Sequence, residues 1–184
     1  MPEKLPTHED LRQQIENAGL DSAIIASERP LILVDSTQQR LWQLASRAGD
    51  SVSFPVSTSR HGLGNRKDSF KTPTGIHRIA QKIGDGAPAG CVFKSRVASE
   101  EICLQQADAA ADVITSRILW LQGLQPGLNQ GGDVDSFERY IYIHGTADEA
   151  HIGQPQSIGC IRMKNADVIA LYERVEEGDL VFIR

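Results

Sequence analysis

A thiol and an imidazole in the last third of the chain are the residue types that acyl-transfer chemistry needs. His144 ends the run Tyr140-Ile141-Tyr142-Ile143-His144. Cys160 follows sixteen residues later (160 − 144), inside Ser157-Ile158-Gly159-Cys160-Ile161-Arg162-Met163. A cysteine becomes a strong nucleophile once a nearby imidazole takes its proton or holds its charge. Gly159 lets the backbone come close to a ligand. The amides of Gly159 and Cys160 are placed to stabilise an oxyanion on an attacked carbonyl. Arg162, always charged, suits a carboxylate held by paired hydrogen bonds.

The elements that must position these groups can be read from residue type. Residues 140–144 are β-branched or aromatic at four of five places, which predicts a strand. Alternation puts Tyr140, Tyr142 and His144 on one face, as a cleft wall, and Ile141 and Ile143 on the other, in a core. Gly145 is expected to turn the chain directly after the histidine. Tyr142 reads either as a cleft residue or as simple packing. Arg117 lies in an apolar run and needs a partner if buried; a substrate carboxylate and a structural ion pair both satisfy that need. Taken alone, Cys160 reads as an inert buried cysteine, as do Cys91 and Cys103. The intervals between His144, His151 and Cys160 match no common zinc pattern, so neither metal nor cofactor is expected.

The two segments together resemble the L,D-transpeptidase catalytic domain, also called the YkuD domain. That family carries a His-Gly, a spacer of about this length, and Ser/Thr-His-Gly-Cys followed by an apolar residue and Asn or Arg. His144-Gly145 and Ser157-Ile158-Gly159-Cys160-Ile161-Arg162 match, with Ile158 where most members have a second histidine. Gly64-Asn65 and Asp68-Ser69-Phe70-Lys71-Thr72-Pro73-Thr74-Gly75 look like the family's upstream signature. The resemblance covers roughly residues 30–184. It implies a mainly β domain, a β-sandwich of YkuD type with a few short peripheral helices; residues 1–29, before it, read from their own sequence as an N-terminal helical extension.

Composition agrees with one domain. The chain has 184 residues, 40% hydrophobic and 23% charged, enough for a sizeable core. Its net charge of −5 and lack of a basic tract argue against nucleic acid or an anionic membrane as partner. No stretch approaches the ~20 apolar residues of a membrane span. The first residues lack the basic head and apolar run of a signal peptide, and three cysteines make no complete disulfide framework. These features point to the cytoplasm.

In chain order, residues 8–19 predict an amphipathic helix with Leu11, Ile15 and Ala18 on one face and Gly19 at its end, acting as a lid or brace on the domain or as a partner-binding arm. Strands follow from Leu31, through Leu41 and Leu44 after a turn at Asp35-Ser36-Thr37, and over 51–57, where Pro55 marks an edge or bulge. Further strands are predicted from Gly75, over 91–97, 113–121, 140–144 and 180–183. The alanines of 99–113 suggest a helix of poor periodicity, and Asn165 is expected to cap a helix through Tyr172.

The resemblance implies chemistry on peptidoglycan stem peptides. Cys160 would attack the L-centre carbonyl of meso-diaminopimelate, with His144 as acid and base, oriented by the carbonyl of Gly145. Gly159 and Cys160 would form the oxyanion hole. Arg162, Ser157, Tyr142 and Arg117 are the candidate substrate contacts. Carbapenem acylation of Cys160 is expected on the same ground. Given the cytoplasmic expectation, hydrolysis fits best: an L,D-carboxypeptidase removing terminal D-Ala from muropeptide tetrapeptides in murein recycling. The alternatives are an L,D-transpeptidase, forming 3-3 cross-links or exchanging D-amino acids, and a non-catalytic peptidoglycan-binding module. The sequence does not give the oligomeric state.

Overall fold

The structure, a computed structural model, describes residues 7–17, 30–44, 51–105 and 112–184. Ala18, Gly19 and the alanines of 107–111 lie outside the described residues, so the expectations placed on them do too.

Helix α1 (His8–Asn17) leads into β1 (Leu31–Asp35), β2 (Arg40–Leu44), β3 (Val52–Pro55), β4 (Gly75–Ile83), β5 (Cys91–Lys94), β6 (Val97–Ile102), β7 (Ile114–Gly123), β8 (Tyr142–Thr146), β9 (Ile161–Met163), α2 (Asn165–Tyr172) and β10 (Leu180–Ile183). The fold is mainly β, with helices at the periphery. Strands run in the order β3-β2-β1-β10-β4-β7, and β7 carries β8, which carries β9. The hairpin of β5 and β6 attaches to β7 through Val92 and Thr115. Most neighbours are antiparallel; β1 with β10 and β8 with β9 are parallel.

The sheet curls back on itself. Pro55 ends β3, having no N–H to continue a ladder. Two residues later Ser57 exchanges backbone hydrogen bonds with Arg162, both at 2.9 Å. One segment thus lines up with β2 at its start and with β9 at its end, bringing the far strand of the sheet against the near one.

Inside the curl lies the main core, where Ile32, Val34, Leu119, Ile143, Ile161 and Val181 meet the inner face of α2. Outside it, Leu11 and Ile15 of α1 pack on Leu31, Leu33, Trp42 and Leu180. Apolar contacts on both faces explain why β1 reads Leu-Ile-Leu-Val without alternation. They also make α1 a brace: each of its two buried side chains stabilises by about 1.5–3 kcal/mol.

Four local expectations need correcting. Residues 97–102 are β6, so the helical reading of 99–102 was misled by composition; the strand is largely exposed and lacks an apolar face. Tyr140 is not in the strand: its φ is 56°, and β8 begins at Tyr142. Gly145 does not turn the chain. It continues β8, and a Cβ there would stand 2.6 Å from the carbonyl oxygen of Thr115, so glycine serves close approach to β7. Asn165 does not cap α2 with its side chain. Its carboxamide donates to the carbonyl of Thr146 at 3.0 Å and to Glu149 Oε1 at 2.8 Å, and it accepts from the hydroxyls of Thr115 and Ser116. Glu149 takes the amide of Asn165 at 2.7 Å instead, setting a carboxylate at the positive end of the helix.

Candidate active site

The site is built on the edge where β8 and β9 run parallel. Their register pairs Ile143 with Ile161 and His144 with Arg162. Both isoleucines are fully buried in the core. Alternation therefore turns Tyr142, His144, Cys160 and Arg162 to the other face. Cys160, one residue before β9, meets the backbone amide of Tyr142, and His144 lies two residues further along β8.

His144 is fully buried. Its Nδ1 lies 2.7 Å from the carbonyl oxygen of Gly145. A carbonyl only accepts, so Nδ1 carries the proton and Nε2 the lone pair. Nε2 is buried and has no hydrogen-bond partner. Burial holds the imidazole below its ordinary pKa, opposed by the carboxylate of Asp112 and by the Gly145 carbonyl, while Arg162 pushes the same way as burial.

The Cys160 thiol donates to the carbonyl of Tyr140 at 3.4 Å and accepts from the amide of Tyr142 at 3.4 Å. Burial pushes it up to about 12, and Asp112 adds to the rise. The Tyr142 amide, Arg162 and Arg139 pull it down. The resting thiol and imidazole are therefore both neutral, with no hydrogen bond between them among the described residues.

Ser157 and Gly159 shape the turn that presents the thiol. Ser157 donates its hydroxyl to the carbonyl of Cys160 at 2.6 Å and accepts the amide of Gly159 at 3.3 Å. Gly159 has φ of 137°, while a Cβ there would meet only ordinary contacts. Its glycine answers a conformational demand. From the other side, the Thr72 hydroxyl donates to the carbonyl of Gly159 at 2.9 Å. Asn65 clasps Thr74 through two hydrogen bonds, of 2.7 and 3.1 Å. The upstream Gly64-Asn65 and Thr72-Pro73-Thr74 segment is thus a buttress for the Cys160 turn.

Cys160 opens into a cleft of about 600 Å³ whose walls include Phe70, Asp112, Arg139, Tyr140, Tyr142 and Ile158. Phe70, Tyr140 and Ile158 are exposed, forming an apolar rim. The Tyr142 hydroxyl accepts from Arg96 at 3.3 Å, and the guanidinium of Arg96 stacks on Trp120 and Tyr140. Tyr142 therefore lines the cleft and also packs.

The other proposed substrate contacts lie elsewhere. Arg117 is buried, donates to the carbonyls of Ala87 and Ser116 at 2.7 Å each, and stacks on Tyr172. A bulge between Thr115 and Ile118 in the pairing with β8 carries it there; it is absent from the cleft wall. Arg162 is buried between two carboxylates, with Nε 2.9 Å from Asp112 and Nη1 3.8 Å from Asp148. Its charge is engaged within the protein and supports the turn. Ser157 is fully buried and spends its hydroxyl on that turn. Asp112 and Arg139 were missed in the sequence, because neither sits in the motif and both reach the site only through tertiary contacts.

Residues 29–183 match the family model described as the L,D-transpeptidase catalytic domain. No protein of curated function matches the sequence. Among solved structures, L,D-transpeptidase 3 from Mycobacterium tuberculosis in complex with a faropenem-derived adduct is 16% identical, over 84% of this chain and 60% of its own, with a TM-score of 0.52. An L,D-transpeptidase from Mycobacterium tuberculosis H37Rv is 14% identical over 84% and 57%, at 0.51. An LD transpeptidase in complex with imipenem is 17% identical over 86% and 60%, at 0.50. The chain spans about three fifths of the length of these structures, and at such identities the likeness is one of fold. The family match extends over most of the chain, with His144 on β8 and Cys160 in the turn that leads into the neighbouring β9: the chain belongs to the L,D-transpeptidase catalytic domain (YkuD) family.

Proposed function

We propose that this chain is a cysteine acyl-transfer enzyme of peptidoglycan stem peptides and that its acyl-enzyme is resolved by water, making it an L,D-carboxypeptidase. The observation that carries the reading is the His144 side chain, held by the Gly145 carbonyl with its basic Nε2 unpartnered, two residues along β8 from the Tyr142 amide that meets the cleft thiol. The Cys160 Sγ would leave the Tyr140 carbonyl, pass its proton to Nε2, and attack the L-centre carbonyl carbon of the tetrapeptide. The developing oxyanion would be met by the amides of Gly159 and Cys160. His144 would return the proton to the D-Ala amine as the C–N bond breaks, leaving a thioester. Water, deprotonated by His144, would then release the tripeptide and the thiol.

Hydrolysis is favoured by Ile158, an apolar side chain 41% exposed at the cleft where most members carry histidine. An amine acceptor arrives as an ammonium ion and must shed a proton before attacking; Ile158 offers no base for it. A reducing cytoplasm as the site of action is supported by the three cysteines, all free. Carbapenem acylation of Cys160 is expected, since solved structures of this fold carry a faropenem-derived adduct and imipenem.

The test is mass spectrometry of the reaction with a disaccharide-tetrapeptide, with and without excess D-methionine, against a Cys160→Ala blank. Loss of D-Ala alone in both samples is the expected result. A D-methionine adduct or a cross-linked dimer would assign transpeptidation instead, and an unchanged substrate would point to a binding module.

A further inference from the structure

Arg139 stands in the wall of the cleft, and the acyl-transfer reading gives it no part. It lies in the segment between β7 and β8, half-buried. Its guanidinium reaches across to the buttress loop. Nη1 donates to the carbonyl of Asn65 at 2.8 Å and, at 3.4 Å, to that of Gly64; Nη2 donates to the carbonyl of Lys71 at 2.7 Å. The residue after Lys71 is Thr72, whose hydroxyl holds the carbonyl of Gly159. A continuous line of contacts therefore runs from Arg139 through the loop to the peptide that precedes the nucleophile.

The charge has a second use. Arg162, the other cation that acts on the thiol, is paired with Asp112 and Asp148. No carboxylate among the described residues comes within 4.0 Å of the Arg139 nitrogens. Asp68 acts on Arg139 from the loop, and Lys67 and Glu138 share the cleft wall. Carbonyl groups take up the hydrogen bonds of Arg139 without cancelling its charge, and burial sharpens that charge's effect on the neighbouring sulfur. Arg139 lowers the thiol against the rise caused by burial and Asp112.

We infer that Arg139 is a positioning residue of the acyl-transfer reaction: its fork fixes the loop that braces the Cys160 turn, and its charge stabilises the thiolate formed when the thiol proton passes to His144. The inference rests on Cys160 being the nucleophile, and its test needs no knowledge of the substrate. The rate of Cys160 alkylation by iodoacetamide at pH 8 is compared in the wild type, Arg139→Gln and Arg139→Lys. Removing a charge that lowers the thiol pKa cuts the thiolate population, about tenfold for each unit of rise, and the greater intrinsic reactivity of the more basic thiolate recovers part of this. A net fall of about threefold or more is expected for Arg139→Gln. Arg139→Lys keeps the charge and should alkylate near the wild-type rate. A lysine gathers its donors on one nitrogen and cannot reproduce the spread of Nη1 and Nη2 over the Asn65 and Lys71 carbonyls, so the same lysine variant should lose acyl transfer, read as kcat for D-Ala release with KM little changed. Equal alkylation in the two variants would overturn the inference, whether both are slowed or neither is. If Arg139→Gln fails to fold, the lysine variant decides alone: wild-type alkylation with reduced kcat supports the inference, and slowed alkylation overturns it. D-Ala release absent in the wild type, with the alkylation pattern intact, would instead count against the proposed substrate.

Discussion

Burial and the nearby Asp112 carboxylate keep the proton on Cys160, and burial keeps His144 neutral. On the proposed mechanism such a pair would react by general base catalysis, with proton transfer coupled to attack, and not from a standing thiolate–imidazolium pair. The acid limb of kcat/KM should then report the protonation of His144. Because its pKa is lowered, the imidazole remains a base as pH falls through the ordinary value of about 6.5. Activity should hold at pH 6.5 and fall only at lower pH. An acid limb centred above 6.5 in a pH–rate profile would contradict the neutral pair. Asp112→Asn removes a charge that raises His144, so the limb should move further down. His144 and Cys160 were legible in the sequence because each sits beside a glycine in a local motif. Asp112 and Arg139 were not, since their role depends on which distant backbone they touch.

At the level of elements, β8 carries His144, the proposed base, and is paired on both sides, with β7 and β9. Gly145 packs so tightly on Thr115 of β7 that Gly145→Ala must push one strand off the other. A cost of about 1–3 kcal/mol in urea unfolding is expected, with loss of activity, because the carbonyl that orients His144 moves with it. The carboxamide of Asn165 ties β7, the end of β8 and Glu149 together at the start of α2. Asn165→Ala strands several buried polar groups and should cost about 3 kcal/mol or more. A loss under about 1 kcal/mol in the same experiment would show that those groups find other partners. The strands themselves could be read from β-branched runs and from turns such as Asp35-Ser36-Thr37, where Asp35 accepts the amides of Thr37 and Gln38. The misreadings at Gly145 and Asn165 share one cause. Each residue type suits a local role, turn or cap, and each is used here for a contact between distant segments.

Across the whole molecule, the curled sheet leaves a second histidine deep inside. His77 is fully buried on β4, with Nδ1 3.1 Å from the carbonyl oxygen of Gly75 and Nε2 2.9 Å from Ser136 Oγ. Burial lowers its pKa to about 4. The unfolded chain, with an ordinary histidine near 6.5, binds the proton more readily in between, so stability rises with pH over that window. The contribution is complete above pH 6.5 and declines as pH falls to 4, by about 3 kcal/mol. His144 acts with the same sign. Urea unfolding at pH 7.5 and 4.5 should show this loss, reduced in His77→Gln; an equal loss in that variant would place its origin elsewhere. The mainly β class was legible because many short apolar runs separated by turns leave few alternatives. The closing of β9 on Ser57 was not, since no local pattern encodes which strand meets which.

The most direct measurement is intact-protein mass spectrometry of the enzyme mixed with disaccharide-tetrapeptide and quenched in acid within the first turnovers. The wild type should carry a thioester of the tripeptide moiety, mapped by digestion to Cys160. Cys160→Ala should carry none, and His144→Ala should form it more slowly by about 10²–10⁴-fold. Release of D-Ala with no adduct on Cys160, or undiminished release by Cys160→Ala, would contradict the assignment of this thiol as the nucleophile.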